Sequence, residues 1–138
     1  MTLGEKQRLF AQLIANLIIW AKTQGMDVAI GEVLRSDEQA AINAMGKAGR
    51  ERVAAMVQTA FPHFAATLLN NTGDGISPSI HERKLAADLL LFINGIYQTQ
   101  TEAYRPLGVK WESMHPLCCW GGRFKDGNHF SITDGGLK

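Results

Sequence analysis

Apolar residues recur at helical spacing near the start of the chain and at strand-like spacing further on. In residues 5–23 one apolar set falls at every third or fourth position, namely Leu9, Leu13, Leu17 and Trp20, which predicts an amphipathic helix. Gly25 then acts as a helix stop. Residues 28–34 alternate loosely between apolar and other positions and predict a strand. The chain is therefore expected to begin with a helix followed by a strand.

Helical patterns continue after this strand. Ser36 followed by Gln39 three positions on is a capping-box pattern, so a helix is predicted to begin there. Residues 46–71 carry a further amphipathic helical pattern with a break at Pro62. We expect this segment to pack on the core. The alternative is that it forms a lid, a dimer face or a surface that contacts the protein's target.

The second half of the chain predicts short strands and turns. Residues 70–75 read as a turn-rich loop, residues 85–92 as a buried strand, and Asn94-Gly95 as a hairpin turn with an antiparallel return strand. Helical segments are predicted at residues 99–104 and 107–114, with an interruption at Pro106 and Gly108. In residues 129–132 apolar and polar side chains alternate between two faces. The tail from Asp134 is expected to fray.

Composition bounds the class of protein. A chain of 138 residues with 46% hydrophobic residues is predicted to form one domain with its own core. A net charge of +1 offers no electrostatic footprint for nucleic acid or an anionic membrane. The only two cysteines are the neighbours Cys118 and Cys119, and they are expected to be free thiols. Zinc binding by this pair is the less favoured alternative.

The apolar run in residues 9–21 loosely imitates a signal peptide because Lys6 and Arg8 precede it. Gln12 and Asn16 interrupt the run, and it is too short to span a bilayer. We therefore expect no signal peptide and no membrane insertion.

Two histidines and two aspartates supply the candidate chemistry. His81 and Asp88 are seven positions apart, which is about 10 Å along a helix and over roughly 20 Å along a strand. Ligands of one zinc lie closer together than that, so the chain must double back through residues 82–84. Asp126 and His129 are three positions apart. Two His and one Asp suit a zinc site with an open fourth position, and the other carboxylate can then act as a base.

These residues resemble the zinc D-Ala-D-Ala carboxypeptidase and L-alanyl-D-glutamate peptidase family, especially its short phage endolysin branch. The family motif Ser-x-His-x-x-x-x-Ala-x-Asp is filled by Ser79, His81, Ala86 and Asp88. A second motif, an acidic residue followed three positions later by His, is filled by Asp126 and His129. The resemblance extends through Trp120-Gly121-Gly122-Arg123-Phe124 and covers nearly the whole chain except residues 46–71. That segment is therefore a predicted helical insertion.

The resemblance implies a fold and a set of roles. It implies an α+β domain of the DD-peptidase and Hedgehog-like kind, with a small antiparallel sheet, helices on one side and a single zinc on the open face. The zinc ligands are then His81, Asp88 and His129, and the base is Asp126. Arg35, matched within Gly-Glu-x-x-Arg-x-x-x-Gln, is expected to bind substrate carboxylate or stabilise the oxyanion. Ser79 is expected to hydrogen-bond to substrate or to other groups of the site.

Two departures from the family pattern are visible. Many members have Glu where Asp126 stands and Gly where Lys84 stands. His115 falls outside both motifs and is not expected to be a ligand, and His63 is expected to be a surface or structural residue.

The expected function is that of a phage or prophage endolysin that cuts the L-Ala–D-Glu bond of peptidoglycan stem peptides. The nearest alternative is a D-Ala-D-Ala carboxypeptidase. An alternative from another class is a non-catalytic zinc-bearing module that binds the cell wall or builds a virion. The expected location is the host cytoplasm until release to the wall, or the virion.

Overall fold

The computed structural model describes residues 1–71 and 79–138. Residues 72–75 of the predicted turn-rich loop lie outside these described ranges. The first helix, α1, spans Leu3–Thr23 and confirms the predicted helix. Thr2 and Glu5 form a capping box at its start, and the buried residues Phe10, Leu13, Leu17 and Ala21 share one face. Within the described ranges, none of the helices has the length and apolarity needed to cross a membrane.

Five short strands form one antiparallel sheet. They are β1 (Met26–Ile30), β2 (Ala86–Ile93), β3 (Ile96–Tyr97), β4 (Cys118–Trp120) and β5 (His129–Ile132). The order is β1-β2-β5-β4, and β3 also pairs with β2. The central strand β2 has β1 on one edge, whereas β5 and β3 share the other edge. Asn94 and Gly95 both have positive φ, as a two-residue type I′ hairpin requires, so the predicted hairpin is confirmed.

In the described part of the chain between β1 and β2 there are three α-helices. Helix α2 (Asp37–Ala44) begins as predicted, with Ser36 Oγ accepting a hydrogen bond from the Gln39 backbone N–H at 3.1 Å. Residues 46–71 form two helices, α3 (Gly46–Val57) and α4 (Pro62–Asn70), and Pro62 lies in the first turn of α4. A proline is tolerated there because that N–H has no helical partner.

Helices α3 and α4 bury a small cluster of their own, made of Ala54, Ala65 and Leu68, against which Ile42 of α2 packs. This cluster is separate from the main hydrophobic cluster of the described residues. The expectation that the segment packs on the core is therefore wrong in this respect: the helices pack mainly on each other, and Met56 and Phe61 remain largely exposed.

The main core lies between the sheet and two helices, α1 and α5 (Arg105–Met114). Trp111 is fully buried, and its indole N–H donates to the Ser131 and Cys119 carbonyls at 2.9 and 3.2 Å. In β2, Leu89 and Leu91 are fully buried, whereas Asp88 and Leu90 are partly exposed on the opposite face. The expected α+β architecture, with a small antiparallel sheet flanked by helices, is confirmed.

Two local expectations are wrong. Pro106 lies in the first turn of α5 and Gly108 lies inside it, so neither residue interrupts the helix. The tail is also anchored, because Asp134 pairs with Lys6 and Arg83 and forms two backbone hydrogen bonds with Leu137. The ion pairs of Asp134 with Lys6 of α1 and with Arg83 hold the tail, which was predicted to fray.

Candidate metal centre

His81 lies on a short 3₁₀ helix, Ile80–Arg83, which we call the His81 turn. Ser79 Oγ accepts a hydrogen bond from the His81 N–H at 3.3 Å, and Glu82 accepts one from the Ser79 N–H. Lys84 ends the turn in the left-handed conformation, with φ of 56°. The chain therefore reverses between residues 81 and 88, and the predicted doubling back at residues 82–84 is confirmed.

Asp88 and His129 are cross-strand neighbours. They face each other in the register of β2 and β5, and directly opposed residues in an antiparallel pair point to the same side of the sheet. The backbone of Asp88 is held on the other edge, where its N–H donates to Glu32 O at 2.8 Å and its carbonyl accepts from Gly31 N at 2.7 Å. Strand pairing on both edges thus fixes the position of this carboxylate.

The three predicted ligand side chains meet at one point. His81 Nε2 lies 3.2 Å from His129 Nδ1, and Asp88 Oδ1 lies 3.4 Å from each of these nitrogens. Neighbouring corners of a tetrahedron with zinc bonds of about 2.0–2.1 Å are about 3.3–3.4 Å apart. An octahedral magnesium site with bonds of similar length places neighbouring ligands about 2.9 Å apart. The triangle therefore fits one metal ion in tetrahedral coordination, and the donor set of two imidazoles and a carboxylate suits zinc.

The protonation of the site is consistent with a cation. His81 Nδ1 and His129 Nε2 are buried and have no hydrogen-bond partner among the described residues. If the imidazole protons occupy these outer nitrogens, two nitrogen lone pairs and a carboxylate oxygen face one another, which a cation would neutralise. When the inner nitrogens carry the protons instead, they donate hydrogen bonds to Asp88, and these lower the pKa of its carboxyl although burial alone would raise it.

Asp126 lies beside this triangle. Its backbone N–H donates to Gly121 O at 2.9 Å, and its carbonyl accepts from the His129 N–H at 3.2 Å. A Cβ at Gly121 would come within 2.2 Å of the Asp126 carbonyl oxygen, so only glycine permits this close turn. Asp126 is exposed as a whole residue, but desolvation of its carboxyl raises the pKa of this group; the charge of Asp88 adds to the shift, while His129, His81 and Arg35 oppose it. The carboxyl therefore lies within range of the charges of all three candidate ligands.

Arg35 is paired within the protein. Its Nε donates to Glu32 Oε1 at 3.1 Å and its Nη2 to Glu32 Oε2. The hydrogen bond with Glu32 raises the pKa of the guanidinium, and the charges of Asp88 and Glu82 contribute. Strand β1 ends at Ile30 rather than at the predicted residue 34, yet Gly31 and Glu32 still pair with Asp88, and this directs residues 32–35 toward the site.

The remaining candidates have local roles. Ser79 is buried and caps the His81 turn, and its contact with substrate stays a prediction. His115 Nδ1 accepts from the Leu117 N–H at 3.2 Å. Cys118 and Cys119 are buried free thiols, and burial raises the pKa of Cys118 to about 12. Among the described residues, the group that can hold a metal is His81, Asp88 and His129.

Sequence reasoning missed a cleft next to Asp126, lined on one side by Lys125, Asp126 and Asn128 and on the other by Tyr97, Gln98 and Thr101. Lys125 has a φ of 67°. A left-handed lysine has no sequence signal, because Gly, Asn and Asp are the residues that favour this conformation. The Asp-Gly-Asn sequence of residues 126–128 was the sequence feature that indicated a tight turn on this side of the cleft.

Comparison with protein-family models and with curated protein sequences finds no match. Among solved structures, the chain is similar to the vancomycin-resistance D,D-pentapeptidase VanY of a VanB-type resistance cassette, solved as a mutant in complex with Zn(II). The alignment covers 91% of this chain and 71% of that chain, with a TM-score of 0.49 and 15% sequence identity.

Proposed function

We propose that this protein is a zinc-dependent peptidase that hydrolyses peptidoglycan stem peptides, with the L-Ala–D-Glu bond as its target. The observation that carries the proposal is the triangle of His81, Asp88 and His129 with the Asp126 carboxyl beside it. Three protein ligands leave one coordination position open for chemistry, whereas structural zinc sites are closed by four. The family motifs that these residues fill supply the substrate class.

Each residue has a distinct role in this proposal. Zinc, when bound, lowers the pKa of a water molecule and polarises the scissile carbonyl. His81, Asp88 and His129 hold the ion. Asp126 accepts the proton of the attacking water and delivers it to the leaving amine. Arg35 stabilises the charge that develops on the carbonyl oxygen.

Two other functions remain as alternatives. A D-Ala-D-Ala carboxypeptidase uses the same centre on the terminal peptide bond. A non-catalytic module that binds the wall needs the metal ligands but has no use for a base at Asp126. The position of Asp126 beside the ligands therefore favours an enzyme. We further propose that the protein is made in the cytoplasm of a bacterial host and reaches the wall after release or as part of a virion.

The test is the identity of new termini after purified peptidoglycan is incubated with the zinc-loaded protein. Wild type is expected to release new D-Glu amino termini. Asp126→Ala is expected to retain one zinc, because it leaves the three ligands in place, and to lose at least about 100-fold in rate. Zinc content measured on both proteins separates loss of the base from loss of the metal.

Other results of this experiment would each contradict a part of the proposal. Free D-Ala from wild type would make the protein a carboxypeptidase. Wild type that binds one zinc and yields no new termini would contradict the peptidase proposal and support the binding module. Equal rates from wild type and Asp126→Ala would show that Asp126 is not the base.

A further inference from the structure

The cleft beside Asp126 has two fixed walls. On one wall, the Tyr104 hydroxyl donates to Gln98 O at 3.0 Å and accepts from the Leu91 N–H at 3.1 Å. On the other, Trp120 Nε1 donates to Gly127 O at 2.7 Å, and Asn128 O accepts from the Leu89 N–H at 2.8 Å. Backbone groups on both sides are therefore tied to the sheet and the core, so the cleft is preformed.

The walls meet closely at the base of the cleft. A Cβ at Gly127 would lie 2.5 Å from Thr101 Cα, so a larger residue there would push the walls apart. Asp126 lines this cleft, and its carbonyl accepts a hydrogen bond from the N–H of the candidate ligand His129, so the cleft adjoins the segment that carries this ligand.

Lys125 is the cation of this cleft that has no carboxylate partner. Its side chain is exposed, and it forms no hydrogen bond or ion pair with the described residues. The neighbouring arginines differ: Arg123 makes two hydrogen bonds to Glu112, Arg105 makes two to Glu102, and Arg35 is paired with Glu32. Lys125 also has a left-handed backbone, because it ends the short 3₁₀ helix of residues 121–124.

The position of Lys125 relates it to one part of a substrate. In the proposed reaction the leaving amine must lie within hydrogen-bond reach of Asp126. The α-carboxyl carbon of the residue that carries this amine is about 2.5 Å from the nitrogen, and Lys125 is the adjacent residue, with Cα atoms about 3.8 Å apart. A lysine side chain spans this distance easily.

We infer that Lys125 and its cleft bind a free α-carboxylate on the residue that supplies the leaving amine. This inference rests on the proposed function. It applies to both candidate bonds: the D-Glu of a stem peptide continues through its side-chain carboxyl and keeps its α-carboxylate free, and a terminal D-Ala carries the same group. Arg35 is paired with Glu32 and acts on the carbonyl oxygen in the proposed reaction, so the carboxylate is assigned to Lys125.

The test uses two pairs of synthetic peptides that differ only in this group. One pair has L-Ala–D-Glu, continued through the side chain, with either a free α-carboxylate or an α-carboxamide. The other ends in D-Ala-D-Ala with a free or amidated terminus. We expect zinc-loaded wild type to prefer the carboxylate about five- to tenfold in kcat/KM within the pair it cleaves.

The variants separate charge from backbone. Lys125→Asn removes the charge and suits the left-handed conformation, and it should abolish the preference by lowering kcat/KM on the carboxylate peptide to the value that the same variant shows on the amide. Lys125→Arg should retain the preference. Lys84→Asn is the matched control, because Lys84 also has a left-handed backbone and does not line the cleft; it should behave as wild type.

The outcomes distinguish this inference from the proposed function. If wild type cleaves the carboxylate and the amide equally, or if Lys125→Asn keeps the preference, the subsite is overturned while the peptidase stands. If wild type cleaves none of the four peptides, the proposed function fails and the subsite fails with it.

Discussion

Gly108 shows how one missing side chain supports the metal centre. A Cβ at this position would lie 2.1 Å from Trp120 Cδ2, so helix α5 can lie against the indole only because the residue is glycine. The same indole holds the loop of Asp126 through its hydrogen bond to Gly127 O. Trp120 therefore links helix α5 to the loop that carries the candidate base, Asp126.

We predict that Gly108→Ala lowers the free energy of unfolding by about 1–3 kcal/mol, although alanine favours helices more than glycine does. Gly4→Ala is the control, since Gly4 is also helical and its added Cβ would meet nothing closer than Arg8 Nη1 at 3.7 Å. Urea unfolding of both variants is the measurement. Equal stability of the two variants would show that the Trp120 contact relaxes without loss.

At the scale of single residues, the sequence predicted the features that motifs and side-chain chemistry determine. His81, Asp88, Asp126 and His129 could be selected because their residue types and spacing fit metal chemistry, and the structure brings His81, Asp88 and His129 together. The pairing of Arg35 with Glu32 and the left-handed backbone of Lys125 could not be predicted. Both depend on how a neighbouring segment is placed, which local sequence does not determine.

Among the elements, the His81 turn is held by segments distant in sequence. Gln7 Nε2 of α1 donates to Arg83 O at 2.9 Å, and the Asp134 carboxylate accepts from both Lys6 of α1 and Arg83. The side chains of Lys6 and Asp134 are only 15% and 16% exposed, so this ion pair is better shielded than an ordinary surface pair. The first helix and the tail thus position the element that carries the first candidate ligand.

Stability should depend on pH through Asp134. Hydrogen bonds from Lys6 and Arg83 lower the pKa of its carboxyl, so the folded state favours the charged form. Its contribution is complete above the unfolded value of about 3.9 and is lost as pH falls through the lowered folded value. In urea unfolding of the metal-free protein, wild type should exceed Asp134→Asn by a constant amount from about pH 5 to 8, and the difference should shrink as the pH falls below about 4.

A more exposed ion pair is the control for the effect of burial on the ion pairs of Asp134. Glu102 and Arg105 form a pair with side chains 71% and 58% exposed, so Glu102→Gln should change stability by less than Asp134→Asn at pH 7. A gap between wild type and Asp134→Asn that persists unchanged at pH 2.5 would exclude the ionic explanation.

Element boundaries were predicted where local chemistry sets them. The capping residues of α2 and the Asn94-Gly95 turn act within a few positions, and both predictions are confirmed. The interruption at Pro106 was wrong because a proline in the first helical turn and one in the interior look alike until the helix start is known. The anchored tail was missed because its partners, Lys6 and Arg83, are remote in sequence.

For the molecule as a whole, the two hydrophobic clusters predict two levels of stability. The candidate ligands connect the His81 turn, β2 and β5, all of which belong to the main cluster. Ligand binding stabilises the folded state by RT ln(1 + [L]/Kd), about 2.7 kcal/mol at 100 times Kd. Helices α3 and α4 bury only three residues fully in their cluster, so they are expected to open locally at lower free energy.

Native-state hydrogen exchange should therefore separate the two regions. On zinc addition, amides of β2 and β5 should exchange up to about 100-fold more slowly, and a chelator should reverse this. Amides of α3 and α4 should exchange faster than those of β2 and change little with zinc. Equal protection of both regions by zinc would mean that they unfold as a single unit.

The position of α3 and α4 between two paired strands also has an entropic consequence. The register pairs Ile30 with Leu89, so the sheet closes a loop of 59 residues, from 89 − 30. Loop-closure entropy grows only as the logarithm of loop length, and the segment of residues 46–70 that contains these two helices adds about 0.5 kcal/mol to the closure. A connection between β1 and β2 can thus change greatly in length while the strands, and the side chains they align, keep their register.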